Sequence, residues 1–423
     1  MDTMQAYAGT PPTMRVTQPR TPGEFIAALL QATLNARKIQ AFVVHEWNGP
    51  QVSVFRCSLG LGEDPRGVER LAGALAQAAG AAEARISRGL GCLWIEIPKP
   101  EGERQVLQPS PLSKLKPPTP WHVSLGLGIQ GKAVWFNLDD PRTAHLVIGG
   151  TTGSGKTVAL HWLLARLLDQ NTPAKLGLLL CDPKAGELRP FRRSAHLLHP
   201  VESRAGEIAK LLQWARNEMD ERGYQGHFSR RLLIVIDEVR DLIMADRRIK
   251  PALAAIAQKG RANGVHLVVT TQQPSARSLG EALVNFPARL LGRVASATLT
   301  YGAAGRAQTM AETLLGNGDF ILLAAGRQVR LQVPLITPAH IRTLPQVAEV
   351  SRLELGEYVD LAALAGDTRG GWNRRDLDWQ AVENYLDGEG ATVTGLQDAF
   401  SINYHRARSI WQAYWDKGAD WPP

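Results

Sequence analysis

The octapeptide Gly150-Thr-Thr-Gly-Ser-Gly-Lys156-Thr157 constrains this chain more than any other stretch. It satisfies G-x-x-x-x-G-K-[ST], follows the apolar run His145-Leu-Val-Ile-Gly149 and precedes a helical pattern from Val158 to Asp169. A strand–loop–helix junction of this composition is a phosphate cradle. Its glycines let successive backbone N–H groups wrap a phosphate, and the helix N-terminus adds a positive dipole. Lys156 reaches the β and γ phosphates and Thr157 ligates Mg2+. The cofactor-binding set is therefore Gly150, Thr151, Thr152, Gly153, Ser154, Gly155, Lys156 and Thr157, and the implied cofactors are ATP and Mg2+.

The surroundings agree with that junction. From Thr143 to about Pro334, apolar runs of about five residues alternate with longer helical segments. The runs are 145–149, 176–181, 232–236, 265–270 and 320–323. Strands that are apolar throughout are buried on both faces, which predicts a parallel sheet flanked by helices. The run Leu232 to Ile236 delivers Asp237-Glu238 to its carboxyl end, where ligands bind in such sheets. Asp237 is placed to hold Mg2+ and Glu238 to polarise the attacking water. The run Val265 to Thr270 ends in Thr271-Gln272. Gln272 is placed to sense the γ-phosphate or orient water, the alternative being a strand-end amide that satisfies a loop.

Outside this region the chain divides by composition. Met1 to Pro22 is rich in Thr, Pro and Gln, lacks the apolar run of a signal peptide and reads as a disordered arm. Helical spacing from Gly23 to Leu34, strands at Gln40–Val44 and Val52–Cys57, a helix over Gly67–Ala82 and strand and turn over Ala84–Ile97 make a small α/β domain. A proline-rich connector, Pro109 to Pro120, leads to a strand pair around Val123–Phe136 that introduces the next unit. The expected division is 1–21 arm, 22–140 small domain and connector, 141–345 motor, 346–371 linker and 372–423 a last compact unit.

The net charge of +8 and pI near 9.5 suit an anionic partner such as nucleic acid. Cys57, Cys92 and Cys181 lie far apart, without metal-site spacing or disulfide density, which fits a reducing cytoplasm. No apolar stretch approaches the roughly 20 residues a membrane-spanning helix needs, so no membrane anchor is expected.

Several motifs, taken in order, resemble the motor of the FtsK/SpoIIIE DNA translocases. They are Asp182-Pro-Lys184 with Glu187-Leu188, Asp237-Glu238 with Asp241-Leu242, Ala257-Gln-Lys-Gly-Arg261-Ala-Asn-Gly-Val-His266, Thr271-Gln-Gln-Pro-Ser275 and Leu314-Leu-Gly-Asn-Gly-Asp319. Val52 to Ile97 is similar to the small α/β domain that precedes that motor. The resemblance implies an α/β fold: a RecA-like P-loop motor with a small α/β domain before it and a small winged-helix domain after it. It implies a homo-hexameric ring that threads double-stranded DNA, each ATP site completed by a neighbour, with Arg261 as the trans-acting arginine. These residues hold no counterpart of the family's membrane-spanning region, so a compact relative without one is the expectation. Where its pore loop usually carries a Lys and an Arg, this chain reads Ser296-Ala-Thr-Leu-Thr-Tyr301, which leaves Arg277, Arg293 and Arg306 as the nearby DNA-contact candidates.

Thr394 to Trp411 reads as helix, turn, helix and resembles the winged-helix end of the same translocases. Asn403, His405, Arg406 and Arg408 would face DNA, with Ile410 and Trp411 in the core. Trp372 to Pro423 carries five Lys or Arg against eight Asp or Glu. Phosphate neutralisation is thus limited, and docking to a protein, such as a recombinase or transfer-machinery component, is the alternative. The leading expectation is a cytoplasmic duplex-DNA translocase serving a plasmid, phage or other mobile element. Its rivals are a coupling ATPase that handles single-stranded DNA or protein, and an ATP-dependent conformational switch.

Overall fold

A computed structural model describes residues 21–272, 285–296, 309–355 and 379–387, with positions 393, 396, 399, 400, 407, 410, 411 and 414 nearer the C-terminus. The chain forms two compact units, one up to Leu107 together with Gly128–Lys132 and the other comprising the rest.

In the first unit, α1 (Pro22–Ala36) starts at a capping box. Thr21 Oγ1 accepts from the Glu24 amide and the Glu24 carboxylate accepts from the Thr21 amide, both at 3.2 Å. Its buried face, Ala27, Leu30 and Leu34, packs with Phe55, Leu93 and Ile95. These come from the antiparallel sheet β1-β2-β4-β3 of β1 (Ala41–Asn48), β2 (Val52–Leu59), β3 (Arg85–Gly89) and β4 (Cys92–Pro98). The helix expected over 67–82 is two: α2 (Pro65–Glu69) and α3 (Ala72–Ala78). Asp64 caps α2 by accepting from the Arg66 amide, so the helix starts earlier than the apolar periodicity indicates.

The second unit opens with the short α4 (Ser110–Ser113) and carries a nine-stranded sheet in the order β6-β5-β13-β12-β11-β7-β10-β9-β8. Its strands are β5 (His122–Gly128), β6 (Ala133–Asn137), β7 (Leu146–Gly149), β8 (Leu176–Cys181), β9 (Arg231–Ile236), β10 (Val265–Thr271), β11 (Ala288–Leu291), β12 (Asp319–Ala324) and β13 (Arg327–Gln332). Between them run α5 (Lys156–Gln170), α6 (Ala205–Gln225), α7 (Val239–Ala245) and α8 (Ile249–Lys259), and α9 (Pro338–Ile341) follows.

Five strands, β8, β9, β10, β7 and β11, are mutually parallel. The sheet as a whole is mixed, which corrects the expectation of an all-parallel one. β12, expected among the parallel runs, is antiparallel to both β11 and β13. The reason is topological: the chain leaves β11 at its carboxyl end and starts β12 from that same edge, so β12 must run back. The hairpin β5–β6, placed by sequence before residue 140 and outside the motor, belongs to this sheet beside β13.

Alternate positions Leu179, Ile234, Val265, Leu267 and Val269 pack with Ile208, Leu212 and Met219 of α6 and Leu253 and Ile256 of α8. The intervening Leu178, Leu180, Leu233, Val235 and Val268 are equally buried. Burial on both faces explains runs without polar alternation, and truncating one such Leu to Ala costs about 2–5 kcal/mol. Farther on, α10 (Trp379–Leu386) contributes Val382 and Leu386 to a cluster with Leu396, Ala407, Ile410 and Tyr414, against which Trp411 packs.

At the amino end of the parallel strands, His145 and His266 are buried with ring centroids 6.3 Å apart. The Leu267 amide donates to His145 Nδ1 (3.0 Å), which makes that ring neutral with its proton on Nε2, and His266 Nδ1 carries a proton that it donates to the Ala144 carbonyl (3.1 Å). Burial, with lesser help from the neighbouring ring, pushes His145 down to about 3; burial pushes His266 down to about 4. A depressed imidazole pKa gives stability that is complete above the unfolded value near 6.5 and is lost as pH falls toward the folded value. Each ring then contributes a slope of about 1.4 kcal/mol per pH unit. Urea unfolding at pH 7.5, 6.0 and 5.0 should show His266→Phe losing about one proton's worth of that slope; an unchanged slope contradicts the assignment.

Candidate nucleotide site

The parallel registers bring the site together. Cys181 pairs with Ile236, Ile236 with Val269, Thr271 with Gly149 and Gly149 with Leu291. Five strands thus end nearly level, and the residues just beyond each emerge along one edge. These are Asp182-Pro-Lys184, Asp237-Glu238, Gln272, the loop 150–157 and Gly292-Arg293.

The loop 150–157 is built as its composition requires. Gly150, Gly153 and Gly155 have φ of +150°, +78° and +100°, a region side chains rarely enter. Gly155 caps α5, so the N–H groups of Gly155, Lys156 and Thr157 have no intrahelical acceptor and form an anion-binding turn. Lys156 Nζ donates to the Gly150 carbonyl (2.8 Å) and the Thr151 carbonyl (3.3 Å). Burial lowers the Lys156 pKa below the usual lysine value, with Glu238 and Asp237 pulling it back up.

Two neighbouring segments clasp this loop. On one side the Arg293 carbonyl accepts from the Thr151 amide (2.8 Å) and Thr151 Oγ1 (3.1 Å). On the other, the amides of Asn317 and Gly318 donate to the carbonyls of Gly153 (3.1 Å) and Ser154 (3.0 Å). A Cβ at Gly155 would lie 2.7 Å from the Gly318 nitrogen, so the two backbones meet where no side chain fits. The turn carrying Asn317 and Gly318 is itself fixed. Asp319 accepts from the Leu315 amide (2.9 Å) and forms a buried two-pronged ion pair with Arg330 (2.9 and 2.6 Å). Gln332 Nε2 donates to the Asn317 carbonyl (2.9 Å). Arg330→Ala strands Asp319 in the interior and should cost about 3–5 kcal/mol, read as a fall in urea midpoint; a loss under about 1 kcal/mol contradicts the clasp.

The two carboxylates after β9 are held differently. Thr270 Oγ1 donates to Asp237 Oδ1 (2.6 Å) and accepts from the Glu238 amide (2.9 Å). Burial pushes Asp237 up to about 6, opposed by that Thr270 hydrogen bond. A cation beside it would favour the ionised form, so this donor chemistry fits a divalent metal. Glu238 has φ +47°, a left-handed conformation uncommon outside glycine. Its side chain is buried, accepts from the Gln272 amide (3.3 Å) and faces Lys184 Nζ at 3.7 Å. Thr270→Val removes both hydroxyl interactions while conserving shape, and turnover of ATP should drop at least about tenfold, measured by phosphate release; wild-type turnover contradicts this.

Of the residues expected from sequence, Lys156, Thr157, Asp237, Glu238 and Gln272 share this edge. Arg261 does not: it lies in the turn before β10, exposed, with its guanidinium donating to the Asp139 carbonyl (3.1 Å). Arg293 is exposed just past β11, whereas Arg277, Arg306, Asn403, His405, Arg406 and Arg408 lie outside the described residues. Sequence reasoning missed Thr270, Arg330 and Gln332. Nothing in a lone strand threonine or in β13 marks them, although Asn317 to Asp319 stood within a recognised motif.

A phosphate cradle between strand and helix, with paired carboxylates on the next-but-one strand of a parallel array, defines a P-loop ATPase. The sequence model of the FtsK/SpoIIIE family matches residues 104–229 and 223–276. That match takes in the phosphate loop, Asp237, Glu238 and Gln272. It is similar to DNA translocase SftA of Bacillus subtilis (strain 168), 31% identical over 90% of this chain and 43% of that protein. It is also similar to DNA translocase FtsK of Listeria monocytogenes, 27% identical over 91% and 55%, and to B. subtilis DNA translocase SpoIIIE, 28% over 94% and 54%. The chain spans about half the length of these curated relatives. Among solved structures, the pCW3 conjugation coupling protein TcpA, in a monomer form with ATPγS, shares the fold. Its TM-score is 0.50 and its identity 17%, covering 75% of this chain and 99% of that one. Among the described residues no helix is long and apolar enough to cross a membrane.

Proposed function

We propose that this chain is an ATP-driven double-stranded DNA translocase that works as a ring of six copies. The observation that carries the reading is the separation of Arg261 from the phosphate loop. Arg261 lies at the amino end of β10 and Gln272 at its carboxyl end, and a strand of this length spans about 20 Å. Arg261 therefore cannot serve its own site, yet it is exposed where a neighbouring copy could be met. A ring in which each arginine reaches the next subunit's triphosphate uses both edges of the sheet, and names shared by the relatives support DNA as the cargo.

In this mechanism the N–H groups of loop 150–157 and Lys156 hold the phosphates, and Thr157 and Asp237 would hold Mg2+, which offsets charge on the transferred group. Glu238 takes a proton from the attacking water, Gln272 orients that water, and the neighbour's Arg261 stabilises the charge that develops. Arg277, Arg293 and Arg306 are the proposed duplex contacts. The C-terminal unit, as a winged helix presenting Asn403, His405, Arg406 and Arg408, binds DNA or a partner of the transfer machinery.

Phosphate release measured with no DNA, linear duplex and single strands should rise with duplex; stimulation by single strands alone favours a coupling ATPase. Arg261→Ala should retain ATP binding and lose about 10³-fold in turnover. Mixing it with Lys156→Ala should restore activity, because some interfaces then pair an intact loop with an intact arginine. A mixture no more active than its components overturns the shared site.

A further inference from the structure

Lys184 has no part in the scheme above, yet the fold aims it at the reaction. Cys181 of β8 and Ile236 of β9 are register partners, and the Asp237 amide donates to the Cys181 carbonyl (2.9 Å). Lys184 stands three residues beyond Cys181 and Glu238 two beyond Ile236. The turn that presents Lys184 is rigid. Asp182 is fully buried, its amide donating to the Glu202 carbonyl (2.8 Å). Its carboxylate accepts from the amides of Lys184 (3.2 Å) and Leu188 (2.9 Å). Ala185, next in sequence, has φ +53°, and Glu238 across from it has φ +47°. Two non-glycine residues in the left-handed region at adjacent strand ends mark backbone strain maintained by the surrounding structure.

The contact so formed joins the Lys184 ammonium to Glu238 Oε1 at 3.7 Å, beyond hydrogen-bond length, with Lys184 half-exposed and Glu238 buried. It is loose and exchangeable on the lysine side. An ammonium seated on the carboxylate also keeps it from the water it must deprotonate. Lys156 and Lys184 are close enough to repel, so both cations face one space.

We propose that Lys184 is a γ-phosphate-reading cation: bound ATP draws its ammonium from Glu238 to a γ-phosphate oxygen, freeing Glu238 to act as base. This rests on the ATPase reading and deepens it. No bond is made or broken in the exchange; one ion pair replaces another. ADP, lacking a γ-phosphate, leaves Lys184 on Glu238, so the residue sets the preference for triphosphate over diphosphate, whereas Lys156 serves both.

The test is equilibrium titration of the full chain, with Mg2+ present, by fluorescently labelled ADP and ATPγS. Lys184→Gln should weaken ATPγS about tenfold, the effect of one exchangeable charge contact, while ADP changes less than about twofold. Lys184→Arg should recover most of the ATPγS affinity. Equal losses for both nucleotides, or no loss for either, overturn the proposal, with thermal unfolding of both variants confirming that the fold is intact. Failure of the wild-type chain to bind either nucleotide would instead sink the ATPase reading itself.

Discussion

Everything at the candidate site depends on five parallel strands ending in register. No side chain of the site is placed by its own local preference. Asp182, Asp237, Glu238, Gln272 and the phosphate loop meet because Cys181, Ile236, Val269 and Gly149 are tied by backbone ladders. That ladder is stabilised by apolar burial on both faces, which is why the strands read as unbroken hydrophobic runs. A slip of one residue in β9 would exchange the side chains on its two packed faces and move Asp237 and Glu238 away from the phosphate loop.

The antiparallel half of the sheet has a different task. β12 and β13 supply Asp319, Arg330 and Gln332, which hold the turn that clasps the phosphate loop. The left-handed glycines of that loop are conformationally costly and flexible by nature. Backbone hydrogen bonds from Thr151 on one side and to Gly153 and Ser154 on the other confine them.

Much of this was legible in the residues. The phosphate loop, both carboxylates and four of the five parallel strands announce themselves through composition and position, and the family motifs are spread through the motor. β11 did not, because Pro287 precedes it and Arg289 interrupts its short apolar pattern. The antiparallel sense of β12 was invisible because strand direction is set by where the chain returns, which no local pattern records. Thr270 and Arg330 were missed for a related reason: each matters through a partner 33 or 11 residues away, and such pairings exist only after the sheet has formed. The hairpin of β5 and β6 was seen, but the sheet it would join was not.

Strain, burial and charge concentrate at one pair of strand ends, around Glu238. That residue adopts a left-handed backbone, lies buried, and is contacted by Lys184 and the Gln272 amide. In the proposed mechanism this carboxylate is the group that takes the proton. Glu238→Gln keeps size and burial while removing the proton acceptor. Measured side by side with the wild-type chain at saturating Mg-ATP and duplex DNA, it should still bind ATP and should release phosphate about 10²- to 10⁴-fold more slowly. Phosphate release at the wild-type rate would contradict the account.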